Sequence, residues 1–325
     1  MDNTKELKNV RTQEQIFLGV AFLVLCVALI GCPQGNEQNA PAPKADLSIN
    51  VITDATGIPL ILPITAQWII PLAPSITENL KILNARDRIV GRTDFCKVDG
   101  NVPSIGNLLE PSIEKIVELK PDLVLASKDG NRPQVVEKLR SLNLKVFVFG
   151  ETNSWKDMEN NFRLYGRLLG KSDEADKILK DIQSELSQIE DMRKALSHYP
   201  KTVFLQLNVT PLMTAGRNTF INEIIIYAGG RNVAADSILP WPTLSIEEII
   251  IRNPHIIIIS DMGQITTQAV KMWQEERFAN ISAVKSKKIY IMNADLLCQP
   301  TPINFIKAVR QMREYLKYET TDEHR

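Results

Sequence analysis

Residues 112–127 read SIEKIVELKPDLVLAS, and residues 245–260 read SIEEIIIRNPHIIIIS. The two stretches align without a gap and are identical at six positions: Ser, Ile, Glu, Ile, Pro and the closing Ser. About one match is expected by chance in such a window, so the chain carries an internal repeat. Both copies follow the same physics. Ser112 and Ser245 are placed to cap a helix, and Glu248 completes a capping box behind Ser245. Glu114 and Glu247 fall in the first turn, where a carboxylate suits the positive end of the helix dipole. Pro121 and Pro254 stop the helix, and wholly apolar strands follow at 123–126 and 256–259, as in a sheet covered on both faces. One helix-to-buried-strand unit per half predicts an α/β fold of two Rossmann-like lobes.

The flanking pattern agrees. Short strands are expected at 48–53 and 60–63 around a turn at 54–57. A buried strand at 68–72 runs into Ala73, Pro74 and Ser75, with a helix starting near Thr77. Between the repeat copies, residues 154–196 are almost continuously helical in pattern, broken near Gly170 with Ser172 as a fresh cap. The second part would be about 35 Å long at roughly 1.5 Å per residue, enough to join two lobes as one long helix. Such a strut restrains hinge motion, so modest closure over a ligand cleft between the lobes is expected. The second half continues with a strand at 201–207, a helix at 219–227 stopped by Gly229-Gly230, and a helix near 269–276. A strand at 288–292 and a terminal helix at 303–318 complete it. The division is an N-terminal lobe at 47–153, linker helices at 154–198 and a C-terminal lobe at 199–325.

The N-terminus reads as an address. Lys5, Lys8 and Arg11 precede the apolar run IFLGVAFLVLCVALI at 16–30, short for a membrane span but fitting for the core of a secretory signal. The run ends in Leu29-Ile30-Gly31-Cys32, which resembles a bacterial lipobox. Cys32 would be acylated and become the mature N-terminus, held at a bacterial membrane on the extracytoplasmic side, in the periplasm or at the cell surface. Residues 1–32 are then a signal peptide, and the Pro-, Asn- and Gln-rich stretch 33–46 a flexible tether. An uncleaved apolar anchor is the alternative, and either form exports the remainder.

Composition narrows the function. The 325 residues carry 38 basic and 38 acidic side chains, with no basic block to attract nucleic acid. Three histidines, His198, His255 and His324, lack metal-ligand spacing. No nucleophile elbow, P-loop or dinucleotide glycine fingerprint is present, so an enzyme is the weaker alternative. Outside the apolar run and lipobox only Cys96 and Cys298 remain, too few for a disulfide framework.

The segments VITDATGIPLILP, IIPLAPSITENL, IVGRTDFC, EPSIEKIVELKPDLVLAS, TAGRNTFINEIIIYAGGRNVA, WPTLSIEEIIIRNP and KKIYIMNADLL together resemble the helical-backbone family of periplasmic substrate-binding proteins. These serve ABC importers for cobalamin, ferric siderophores and haem. VFLQLN, AGGRNV and LPWPTLSIEE are most similar to the family's cobalamin binders. The resemblance implies a monomer without cofactor or catalysis. It would capture a small metal chelate, cobalamin or another corrinoid first and a ferric siderophore or haem otherwise. It would deliver this cargo to a permease dimer with its ATPase, with a sensor or scavenger lacking an importer as a further alternative. It implies that Glu114 and Glu247 dock onto permease arginines, one from each lobe. Phe95 and Trp241 match cleft aromatics of the two lobes. Asp295, Leu296, Leu297, Cys298 and Gln299 match the last lip of the cleft. Pro74 follows a strand end, the ligand edge of an open α/β sheet. Ser127 departs from the cobalamin binders, which place an aromatic there. Arg92, Lys97, Lys128 and Arg132 lie near the mouth of the first lobe. Cys96 and Cys298 both fall at the cleft edge, where one of them is a candidate ligand to the chelate's metal; two ordinary small side chains are the alternative.

Overall fold

The structure, a computed structural model, describes residues 51–61, 66–195 and 200–316. The apolar run, Cys32 and the tether lie outside the described residues, as does the beginning of the strand expected at 48–53.

A small antiparallel hairpin, β1 (Val51–Thr53) with β2 (Pro59–Ile61), opens the described chain. The first parallel sheet follows from β3 (Ile69–Pro71), β4 (Leu123–Ser127) and β5 (Val146–Phe149), in the order β3-β4-β5. Every residue of these three strands is buried, because helices cover both faces. The second sheet has β6 (Thr202–Gln206), β7 (Arg231–Asn232), β8 (Ile256–Asp261) and β9 (Ile289–Asn293), in the order β7-β6-β8-β9. All its pairings are parallel, with Phe204 beside Ile257 and Ile259 beside Ile291. The chain leaves β6 towards β7 on one side and returns to β8 on the other. A parallel sheet that reverses its order in this way leaves a crevice at the strands' carboxyl ends.

Four helices serve the first sheet and its link: α1 (Pro74–Ile82), α2 (Ile113–Glu118), α3 (Pro133–Ser141) and α4 (Trp155–Leu169). The repeat copies fold alike. In α2 the Ser112 hydroxyl accepts from Lys115 N–H. In its counterpart, numbered α7 (Ile246–Arg252), Ser245 and Glu248 form the full capping box. The residue before each proline takes a left-handed conformation, Lys120 at φ 46° and Asn253 at φ 43°. This is where the helix ends in both copies, one step ahead of the proline.

The link consists of α4, Gly170 at φ 68°, and α5 (Ser172–Ala195). Ser172 is already helical; the Lys171 carbonyl accepts from Ala175 N–H at 3.0 Å and so holds the cap place expected of Ser172. These helices do more than span a gap. They pack against α6 (Phe220–Tyr227) and the terminal α11 (Pro302–Tyr315). One core runs from Ile69 and Phe147 in the first sheet, through Phe162, Leu168, Leu179 and Leu186 of the link, to Leu205, Ile258 and Phe305. Trp155 and Phe305 meet at a tilt with centroids 5.2 Å apart, and the Trp155 backbone N–H donates to Glu223 of α6 at 2.5 Å.

The helix expected near 269–276 lies earlier, as α8 (Gln264–Met272). Its first turn is polar and escapes an apolar period. Thr266 fixes the start by donating to Asp261 at 2.9 Å and accepting from Met262 N–H at 2.9 Å. Buried Trp273 follows its last turn. Two short helices, α9 (Ser282–Lys285) and α10 (Ala294–Cys298), flank β9.

Candidate functional site

Several of the expected residues stand where strands of the two sheets end. Pro74 is the first residue of α1, directly after β3, and Ser127 closes β4. Asn131 ties these ends together. Its amide donates to Leu72 O at 3.0 Å and to Leu108 O at 3.2 Å, while its Oδ1 accepts from Ser127 N–H at 2.9 Å. The segment leading into α2, and with it Glu114, is thereby held at the carboxyl edge of the first sheet.

The second lobe uses backbone pairing for the same purpose. Thr214 N–H donates to Pro242 O at 3.0 Å, Gly216 N–H to Pro240 O at 2.9 Å, and Leu244 N–H to Leu212 O at 3.0 Å. The segment carrying Trp241 thus lies along the loop that follows β6. Any side chain at Gly216 would run into the Leu239 carbonyl, so this close approach requires glycine. Trp241 is 46% exposed and Phe95 is 66% exposed. Both are large aromatics facing solvent, one from each lobe, and neither is taken up by a core.

Lys97 of the first lobe meets Asp295 of the second at 2.6 Å. Asp295 is further held by Gln299 Nε2 at 2.7 Å and by Asn293, which caps α10. The ion pair is largely exposed, a geometry that contributes about 0–1 kcal/mol, so it biases closure without locking it. Deeper in, Ser75, Asn79, Ser127, Thr152, Asn161, Tyr165 and Pro300 surround a cavity of about 10 Å³, the room of one water.

The cavity floor was not foreseeable from the sequence. Met158, Asn161 and Tyr165 come from the link helix α4, and Pro300 from the second lobe. Tyr165 stacks on Phe149 at 3.9 Å between centroids. Burial pushes its phenol well above the ordinary range; the neighbouring Asn79 side chain opposes this and the charge of Asp129 adds to it. The phenol is therefore neutral at physiological pH. Burial also raises the Asp129 carboxyl, against hydrogen bonds from Thr152, while nearby Glu151 adds to the rise.

Other expected positions divide. Leu296 is half-buried against the core, whereas Leu297 is fully inside it, because the single turn of α10 aims one residue inward. Gln299 is buried. Cys96 is only 3% exposed, its sulfur 3.0 Å from the Thr93 hydroxyl, so the 93–96 turn would have to open for it to meet a ligand. Cys298 is an exposed residue. Its thiol is nevertheless pushed up by burial, with Ser260 opposing and Asp295 adding to the rise, so it stays protonated at neutral pH. Of the four cations at the first-lobe mouth, Arg92 turns inward to hold Thr93 O at 3.2 Å, and Arg132 pairs with Glu110. Lys97 is taken by Asp295, and Lys128 has no ion-pair partner among the described residues. Among the described residues no cluster of His, Cys, Asp and Glu suits a metal ion, and no helix is long and apolar enough to cross a membrane.

Glu114 and Glu247 are both exposed at the first turns of α2 and α7. Glu114 accepts from the Ser112 hydroxyl at 3.1 Å, and Glu247 bonds to none of the described residues.

The chain resembles known proteins in sequence and fold. The vitamin B12-binding protein of Vibrio cholerae is 30% identical over 262 residues, which is 79% of this chain and 92% of that one. An ABC transporter substrate-binding lipoprotein of Bacillus subtilis is 27% identical over 312 residues, covering 93% of this chain and 97% of its own length. The crystal structure of the periplasmic vitamin B12-binding protein of Vibrio cholerae superposes with a TM-score of 0.66 at 29% identity, over 78% of this chain and 98% of that one. A periplasmic haem-binding protein of Roseiflexus shares the fold, with a TM-score of 0.68 at 21% identity over 78% of this chain and all of that one. Residues 69–296 match the periplasmic binding protein family, a span that reaches from β3 to α10 and takes in both sheets. The chain belongs to that family, as a substrate-binding protein of ABC transport.

Proposed function

We propose that this protein captures a metal chelate with a flat macrocycle, cobalamin or another corrinoid first, and hands it to an ABC importer. The observation that carries this is the pair Phe95 and Trp241, large exposed aromatics on opposite lobes. Stacking on a macrocycle suits such a pair. The likeness to vitamin B12-binding proteins points the same way. Ser127, small where cobalamin binders place an aromatic, leaves haem or a ferric siderophore as the second reading. In this proposal Cys32 carries the lipid anchor, residues 33–46 are the tether, and the lobes occupy 47–153 and 199–325 as a monomer with 154–198 as the link. Of the two thiols, Cys298 belongs to the exposed residue and is the better candidate to meet a chelate's metal. Glu114 and Glu247 dock onto the permease dimer, one lobe to each subunit.

The test is a fluorescence titration of the full chain in detergent with cyanocobalamin, haemin and a ferric hydroxamate siderophore. Saturable quenching by cyanocobalamin is expected, weakened about tenfold by Phe95→Ala and by Trp241→Ala. Absence of saturable cobalamin binding, or affinity untouched by both substitutions, rejects this ligand. Glu114→Ala with Glu247→Ala should abolish uptake while leaving affinity intact; a loss of affinity instead rejects the docking role.

A further inference from the structure

We infer that each docking carboxylate is half of a two-part contact, the other half being an exposed aliphatic side chain one helical turn further on. The inference rests on the docking role of Glu114 and Glu247 and adds the chemistry of the surface that receives them. Val117 follows Glu114 by three residues, and Ile250 follows Glu247 by three. Residues at that spacing share one side of a helix. The opposite side is accounted for, since Ile116 and Ile249 are wholly buried in the two lobe cores. Val117 and Ile250 are each 42% exposed, and Ile251 beside the latter is 82% exposed, the highest value among the exposed large apolar residues described.

A single exposed aliphatic residue needs no explanation. Here the same carboxylate-plus-aliphatic pair recurs at the same register in both copies, although Lys115 and Glu118 of one copy are replaced by Glu248 and Ile251 in the other. Both helices begin at the carboxyl edges of their sheets, tied there by Asn131 and by the Thr214 and Leu244 pairings. The receiving surface therefore has, in each of two equivalent subunits, a cation for the carboxylate and an apolar depression beside it. Ile251 enlarges the second-lobe contact, so that lobe is the tighter of the two.

The parts separate kinetically. Exposed charge pairs govern encounter and its salt dependence, whereas desolvated apolar contacts govern dissociation. The full chain in detergent would be passed over its immobilised permease–ATPase complex at several salt concentrations, without added ligand. Ile250→Ser with Ile251→Ser is expected to speed dissociation about tenfold, and Val117→Ser by less, with association and its salt slope unchanged. Glu114→Gln with Glu247→Gln is expected to slow association and flatten the salt slope. Serine variants that dissociate like the parent, while the glutamine variants are impaired, overturn the inference and leave docking by the carboxylates standing. Serine variants that alter only the salt slope also overturn it. If all variants behave like the parent, the docking role itself falls. Unchanged stability of the serine variants, with Val117→Ala and Ile250→Ala as milder substitutions, separates a lost contact from a lost fold.

Discussion

Asp54 is a buried tie point of the first lobe. Its side chain is almost wholly buried and pairs with Arg140. It accepts from Thr56 N–H at 2.8 Å, the Thr56 hydroxyl at 2.7 Å, Ile58 N–H at 3.1 Å and Val148 N–H at 3.1 Å. Those bonds fold the turn of the β1–β2 hairpin and fasten it to β5. Burial alone would raise the carboxyl, but the bonds from Thr56, Ile58 and Val148 outweigh it and hold it below the ordinary range. A depressed folded value means stability that is present above the unfolded value, near pH 4, and lost as pH falls through the folded value. Asp54→Asn is expected to cost about 2–4 kcal/mol at pH 7, leaving Arg140 without its counter-charge. In urea titrations from pH 5 to pH 3 the parent should lose stability more steeply than the variant. Equal slopes would show that Asp54 titrates alike in both states.

At the scale of elements, α2 and α7 are too short to hold themselves and depend on their caps. Both copies keep the serine, but only α7 has the reciprocal box, with Ser245 N–H donating to Glu248 at 2.7 Å. Ser245→Ala is expected to cost about 1–2 kcal/mol in urea unfolding because it breaks the reciprocal box, and Ser112→Ala about 1 kcal/mol, the ordinary loss of a cap, since its bonds to Lys115 N–H and Glu114 are exposed and no box couples them. These features were legible in the sequence because a cap and its partner lie three residues apart and an apolar strand announces itself. Of the candidate positions, local pattern gave the first-turn places of Glu114 and Glu247 and the proline-flanked loop of Trp241, while any role in binding or docking remains proposed. Lys97 and Asp295 stand 198 positions apart, and nothing in either neighbourhood signals the other. Tyr165 and Asn161 hide for a different reason. On the sequence they are one helix's inward and flanking positions, and only packing of that helix beneath both lobes turns them into the floor of a cleft. Leu297 shows the converse, where a lip position inferred by alignment is spent on the core because a one-turn helix has only one inward face.

For the molecule as a whole, the question is whether two sheets mean two independent bodies. The link argues against it. α4 and α5 pack against the first sheet's helices and against α6 and α11, and a single core passes through them. Phe305 sits at the junction, fully buried, against Trp155 at 5.2 Å and Tyr227 at 5.7 Å. Parting the lobes enough to admit a ligand must leave this junction intact, so opening has to come from small rotations at the rim, where Lys97 and Asp295 give little resistance. The same continuity makes unfolding cooperative. Hydrogen exchange of the β4 amides at 123–127 and the β8 amides at 256–261 should report one opening free energy, although they lie in different sheets. Phe305→Ala, which empties a fully packed site, should lower both by the same amount, about 3–5 kcal/mol. If β8 were weakened while β4 kept its protection, the lobes would be separate folding units and the link a strut after all. The shared core predicts that they fall together.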